Sequence, residues 1–432
     1  MTQASEERRL DAATALLEHV HRILDLSFGF ELWDRRRVPA DTPADGLRIA
    51  ITHEGAVTRL LRRPKATTLI DLHAAGFVDI RGGTLFDLAE RRPKVRTKAI
   101  LKTLDKGLLL RSLLPFLLGT ARLPAVASLT AKDDDAATGS RREDIEFHYD
   151  VSNDFYKLFL DPEMVYTCGY FTDWGNDLAT AQRDKLDMIC RKLRLKPGDR
   201  MLDIGSGWGA LVCHAAEHYG VTALGVTLSS EQLALSRTKV AERGLADRVR
   251  IELQDFRMLE GQFDKISSIG MFEHVGIDNH GAYFSTIDRL LADGGLYLHH
   301  AITRPGKLDL RKFRKKKAEY KAITSYIFPG GELDHIGWTA TNLEAHRFEI
   351  HDVEGWREHY ARTTEFWARN LIAHREAAEA IAGPAKTRIW VLYLAGVSLA
   401  FRNGSVSIFQ TLASKRRRGP SGLPPTRADL YR

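Results

Sequence analysis

The chain has 432 residues, with 63 Lys and Arg against 56 Asp and Glu for a net charge of +7, and 44% of it is hydrophobic. This composition supplies ample core, so a disordered or fibrous chain is excluded, and the length favours two domains. The basic excess is diluted among many acids, unlike the dense one-sign surface of a nucleic-acid binder, so no nucleic acid is expected as partner.

The opening MTQASEERRL lacks the apolar core of a secretion signal, and no apolar run reaches the roughly 18 residues of a spanning helix. A cytoplasmic protein is expected, touching a membrane only peripherally, at its inner face. Three cysteines, Cys168, Cys190 and Cys213, neither close a disulfide set nor match a zinc spacing, so no metal site is expected.

Residues 1–130 read as a small mixed, partly helical domain. Helical patterns run around Leu10 to Ile23 and Ala56 to Leu61, and LRIAITH at 47–53 alternates like a strand. In AILKTLDKGLLLRSLLPFLL, leucines crowd one side while Lys102, Lys106 and Arg111 interrupt them. That text fits a core helix and a helix lying on a bilayer surface alike. The stretch 131–144, AKDDDAATGSRRED, has the small, polar composition of a linker.

From 145 to 432 the pattern changes. Strand-like RMLDI (200–204), VTALGVTL (221–228), VRIELQ (249–254), FDKISSIGM (263–271) and GGLYLHHAI (294–302) alternate with helical segments at about 208–219, 229–243 and 280–291. Parallel neighbours need crossover connections, so the fold class expected is α/β, a doubly wound, mostly parallel sheet.

The first of these strands ends LDIGSGWGAL, placing Gly205, Gly207 and Gly209 where strand turns into helix. The spacing is G-x-G-x-G rather than the dinucleotide G-x-G-x-x-G, and the second strand ends GVTLS, without the acid that grips an NAD ribose. A tight glycine turn admits close backbone approach, and the helix N-terminus beyond it favours a carboxylate. S-adenosylmethionine meets both conditions, with Asp255 at the end of the third strand as an acceptor for its adenine amino group.

The runs FHYDVSNDFYKLFLDPEMVYTCGYF (147–171), LDIGSGWG (202–209), GVTLSSEQ (225–232), GMFEHVG (270–276), LHHAIT (298–303) and YIFPGGEL (326–333) together resemble the cyclopropane-fatty-acyl-phospholipid synthase family, which includes the mycolic acid cyclopropane synthases. The resemblance covers residues 145–415 and extends more loosely over the first domain. It implies the class I methyltransferase fold and transfer of the S-adenosylmethionine methyl group to a cis double bond of a phospholipid acyl chain, with bicarbonate as base. Carried onto this chain, the bicarbonate cage is Cys168, Glu273, His300, the backbone at Ile302, and Tyr360. The methyl donor's contacts are Tyr166, Thr167, Asp203, Gly205, Gly207, Gly209, Thr227, Leu228, Gln232, Gln254 and Asp255, with Gln232 as ribose partner. Tyr170, Phe171, Phe272, Tyr326, Tyr360 and Phe366 are the aromatic faces available to a carbocation. Glu273 is expected to orient His300 or to accept the bicarbonate hydroxyl.

The chain departs from the family in carrying Ser206 and Val397 where relatives have cysteines, and in a longer connection at 304–325. That insert's Arg311, Lys312, Arg314 to Lys317 and Lys321 suit either a solvated helix face or an anionic membrane surface. Related enzymes that end in a methyl branch or methylene, small-molecule N-methyltransferases, and a lipid-binding protein that kept only the fold are the competing readings. The first domain is left with two roles, holding a bilayer or pairing two copies into a homodimer.

Overall fold

The computed structural model describes residues 3–93, 105–118, 123–124, 152–315, 326–327 and 331–431. The expected linker at 131–144, residues 98–104 of the leucine-rich segment, and Lys316, Lys317 and Lys321 lie outside the described residues.

The chain divides into two compact units. One is Met1–Ala131 with Lys317–Tyr326 and Gly383–Gly396; the other is Lys132–Lys316 with Ile327–Ala382 and Val397–Arg432. Two segments expected in the second domain therefore group with the first.

In the first unit, the helix Gln3–Leu24 and the helix Glu54–Arg62 match the two helical patterns. A four-stranded sheet of β1 (Gly29–Glu31), β2 (Arg37–Val38), β3 (Arg48–Ile51) and β4 (Val78–Arg81) has the order β2-β1-β3-β4. Leu10, Ala13, Phe30, Leu32, Val38 and Phe116 form its core. The Arg9 guanidinium donates to both oxygens of Glu54, at 2.6 and 3.0 Å, a two-point pairing that makes a buried charge pair tolerable.

The second unit holds a seven-stranded sheet: β5 (Arg200–Ile204), β6 (Thr222–Thr227), β7 (Val249–Leu253), β8 (Phe263–Ile269), β9 (Leu291–Thr303), β10 (Phe348–Gly355) and β11 (Ser407–Lys415). Its order is β10-β11-β9-β8-β5-β6-β7. β5 to β9 run parallel, as the alternation implies, and β11 pairs antiparallel with both β9 and β10. The chain winds outward from β5 to β7, then returns to lay β8 on β5's other side. That reversal opens a crevice at the carboxyl ends of β5 and β8, where doubly wound sheets bind ligands.

Side chains alternate across the sheet. Met201, Leu296 and Leu298 join the helices Leu178–Lys192 and Ala210–Tyr219 on one face. Leu202, Ile204, Tyr297 and Ala301 join the helices His280–Leu290 and Ile336–Ala345 on the other. The same alternation separates the adjacent histidines of LHHAIT. His299 joins a buried chain in which the Tyr297 hydroxyl bonds Nδ1 at 2.9 Å, while His300 turns to the opposite face.

Candidate active site

Three elements converge on the crevice. At the end of β5, Gly205, Gly207 and Gly209 take φ of +77°, +54° and +80°, conformations costly for any residue with a Cβ. Space constrains Gly205 as well: a Cβ there would sit 2.8 Å from the Met271 side chain. Gly209 caps the helix Ala210–Tyr219 and offers no side-chain acceptor to its first N–H groups, which stay available to an anion. Asp203 is buried and accepts from Ser267 Oγ at 2.7 Å; burial pushes its carboxyl up to about 6.

At the end of β6, the Thr227 hydroxyl donates to Gln232 Oε1 at 2.7 Å and accepts from Ser229 N. This leaves the Gln232 amide nitrogen without a hydrogen bond among the described residues. Gln254 N donates to the Thr227 carbonyl, fastening the end of β7 to that of β6, and Leu228 is half-buried. Asp255 caps a short turn and is gripped by Arg257, whose Nε lies 3.0 Å from both carboxylate oxygens. The acceptor expected for adenine is thus already engaged by a neighbouring cation.

The third element, Asp161–Phe171, has no regular structure but is tied down along its length. Asp161 accepts from Val165 N and Glu163 N, both at 2.9 Å. Gln182 Nε2 donates to the Thr167 carbonyl at 2.9 Å, and Thr363 Oγ1 accepts from Gly169 N at 3.0 Å. Tyr166 packs its ring against Trp367 and Tyr156, with centroids at 5.0 and 5.3 Å.

Beyond the glycine turn, Cys168, Ile302 and Tyr360 meet in one apolar cluster with Trp356 and Phe401. Trp356 is its hub. Its carbonyl receives the Cys168 thiol at 3.9 Å and the Tyr360 N–H at 3.0 Å, and its ring meets His300 edge-on at 5.2 Å. Complete burial holds the Cys168 thiol well above its ordinary value, so it is a weak donor rather than a thiolate. Glu273 is buried on the turn after β8, and burial pushes its carboxyl up to about 7. Its Oε1 accepts the Ile302 N–H at 2.7 Å, while Oε2 is buried without a partner.

Two expectations are corrected here. β8 pairs with β9 only as far as Ile269 opposite His300, so the Ile302 N–H has lost its strand neighbour and is taken by Glu273 rather than left for an anion. Glu273 does not orient His300; Gln410, directly opposite on β11, does so, with Nε2 at 3.1 Å from His300 Nδ1. With that amide donating, the ring proton sits on Nε2, which is buried and unpartnered. Burial holds the imidazole well below its ordinary value and therefore neutral.

Of the aromatic candidates, Tyr170 stacks on Trp356 at 4.8 Å, and Tyr360 lies 4.8 Å from Phe401. Phe171 stacks with Phe366 at 6.0 Å. Phe272 instead packs into the opposite face beside His280 and Phe284, and the Tyr326 hydroxyl donates to Asp71 within the first unit. All three cysteines are buried and free. Gln410, Trp356, Gln182 and Lys185 went unnoticed in the sequence. A glutamine amid the apolar SIFQTLAS run was the one available signal, and nothing local tied it to a histidine 110 positions away.

A family model described as mycolic acid cyclopropane synthetase matches residues 137–411. The chain is 44% identical over 293 residues to a probable fatty acid methyltransferase of Pseudomonas putida, spanning 67% of this chain and 74% of that one. It is 40% identical over 272 residues to the cyclopropane-fatty-acyl-phospholipid synthase of Escherichia coli K12, spanning 62% of this chain and 66% of that one. Among solved structures, the cyclopropane synthase MmaA2 from Mycobacterium tuberculosis aligns over 65% of this chain and all of its own, at 34% identity and a TM-score of 0.60. The mycolic acid cyclopropane synthase CmaA1 complexed with SAH and CTAB aligns equally far, at 33% identity and a TM-score of 0.60. The chain belongs to the mycolic acid cyclopropane synthetase family and is an S-adenosylmethionine-dependent methyltransferase of the cyclopropane synthase type.

Proposed function

We propose that this enzyme methylates a cis double bond in a phospholipid acyl chain and closes it to a cyclopropane, with bicarbonate as the base. One observation carries the reading. Glu273 Oε2 and His300 Nε2 are buried polar atoms without partners, and both residues border the cluster of Cys168, Ile302, Trp356 and Tyr360, Glu273 through the Ile302 N–H and His300 through the Trp356 ring, so a bicarbonate held there would satisfy them. The names of the Escherichia coli and Mycobacterium tuberculosis relatives, both cyclopropane synthases, point the same way.

When bound, S-adenosylmethionine supplies an electrophilic methyl group and bicarbonate a base. An alkene is a weak nucleophile, so the residues must supply proximity and a dry setting. Addition of the methyl breaks its bond to sulfur, forms one new C–C bond and leaves positive charge on the neighbouring carbon. The faces of Tyr170, Trp356 and Tyr360 stabilise that charge without reacting. Ring closure then requires a proton to leave the added methyl. His300 Nε2–H is the donor for the anion that collects it, and Glu273, poised near neutrality, accepts from the anion's hydroxyl.

The substrate lies in a bilayer, and the first unit presents Leu110, Leu114 and Leu117, 66%, 45% and 46% exposed, on one face of the helix Lys106–Leu118 beside exposed Lys106 and Arg111. Such a face suits an anionic membrane surface. Among the described residues no helix is long and apolar enough to cross a membrane. The described part of the basic insert is partly spent within the protein: Arg314 lies over Trp338 and pairs with Asp278, and Lys312 pairs with Asp309.

A second outcome, a methyl branch, is equally compatible with the Pseudomonas putida relative, a probable fatty acid methyltransferase. Enzyme, unsaturated phospholipid vesicles and S-adenosylmethionine with a fully deuterated methyl separate the two. Ring closure discards one deuterium, whereas a methyl branch left when a chain carbon loses the proton retains all three. Acyl chains left unaltered would reject the lipid reading.

A further inference from the structure

Lys185 sits in the middle of the helix Leu178–Lys192 with 2% of its surface exposed. Its ammonium makes one hydrogen bond, to Thr167 Oγ1 at 2.9 Å, and forms no ion pair among the described residues. An ammonium has three N–H donors, so two are left unmet in the protein interior, a costly arrangement unless the charge serves something nearby. Asp161, Asp203 and Cys168 are the groups that feel it most, and burial draws its pKa down only to about 8, which leaves it charged at neutral pH.

Thr167 connects this charge to the ligand crevice. Its methyl group lies where a Cβ on Gly270 would stand, at 2.7 Å, and Gly270 precedes the Met271 side chain that closes against Gly205. Because Thr167 Oγ1 accepts from Lys185, its own hydroxyl hydrogen must point elsewhere, and no group among the described residues receives it. Gln182, one turn before Lys185, holds the Thr167 carbonyl at 2.9 Å, so the backbone that carries the hydroxyl is held in place.

We infer that Lys185 is a positioning residue for the methyl donor: it turns the Thr167 hydroxyl into a donor facing the glycine turn and places a full positive charge one hydroxyl behind it, so that the pair selects the carboxylate of the donor's amino-acid part. The inference rests on S-adenosylmethionine being the ligand of the Gly205–Gly209 turn. The charge sign identifies the carboxylate, since a buried cation would repel the amine of the same ligand.

Titration calorimetry on the full chain tests this with two ligands, S-adenosylhomocysteine and 5′-methylthioadenosine, which lacks the amino-acid part. Lys185→Met is expected to weaken S-adenosylhomocysteine at least tenfold and to leave methylthioadenosine within twofold. Thr167→Val is expected to do the same in kind, and the double variant to lose little more than the worse single one. Equal losses for both ligands would show a merely structural lysine, and no loss for either would remove it from the site; both overturn the inference. Should Lys185→Met not fold, Lys185→Gln keeps a donor at Thr167 without the charge, and its loss must again be confined to S-adenosylhomocysteine. Failure of the unaltered chain to bind S-adenosylhomocysteine would instead overturn the assignment of the methyl donor itself, and this inference with it.

Discussion

Gly205, Gly207 and Gly209 lie within five residues, and their conformations follow from what those residues lack, a Cβ. The cluster around Trp356 draws Cys168, Glu273, His300, Ile302, Tyr360 and Gln410 from five separate stretches of chain, and none of them has a local reason to be there. The first region is a backbone shape that one turn can encode. The second exists only if the whole sheet is in register, since a slip of one residue on β9 would exchange His300 for His299.

The sharpest test of this division is His300→Ala. It is expected to lower kcat by about 100-fold or more, the range for a lost acid–base partner, while S-adenosylhomocysteine binds as before. A matching loss of affinity would mean that the two regions are one. Glu273 gives the next largest effect. Its folded-state value, about 7, lies above the ordinary 4.5, so its contribution to stability is complete below about pH 4.5 and lost as pH rises through 7. Chemical unfolding of Glu273→Gln across pH 5 to 8 is expected to show a dependence flatter than that of the unaltered chain by roughly 3 kcal/mol.

Within the glycine turn, Gly205→Ala is expected to weaken S-adenosylhomocysteine by more than tenfold. It meets both the left-handed cost of about 1–2 kcal/mol and the Met271 side chain. Gly207→Ala meets open space and should bear the backbone cost alone, so the larger loss at Gly207 would contradict the crowding at Gly205. The smallest effect belongs to Arg257→Ala. Breaking a half-exposed pair with Asp255 is expected to change stability by less than about 1 kcal/mol, read as a shift in Tm. If the freed carboxylate then binds S-adenosylhomocysteine more tightly, Arg257 had been competing with adenine.

Much of the fold was legible because the parallel strands read as apolar runs and the helices between them repeat at 3.6. RMLDI was read as 200–204 and β5 occupies those residues; the helices at 210–219, 230–242 and 280–290 fall within a residue or two of expectation. The antiparallel β10 and β11 went unread, although they complete the sheet and bring Gln410 to His300. In FEIHDVEG the polar alternation of a strand near the sheet's edge carries no hint of its partner. The grouping of Gly383–Gly396 with the first unit was equally invisible, because contact between distant segments leaves no periodicity.

Taken alone, the amino-acid order settled the doubly wound sheet, the glycine turn and the family, since each is written in residues close together or in motifs of set spacing. Which histidine faces the Trp356 cluster, what steadies it, where the Ile302 N–H goes and why a lysine lies buried behind Thr167 were decided by packing. Burial is what makes Glu273, His300 and Lys185 chemically different from the same residues in water, and burial is a property of the folded chain, not of any stretch of it.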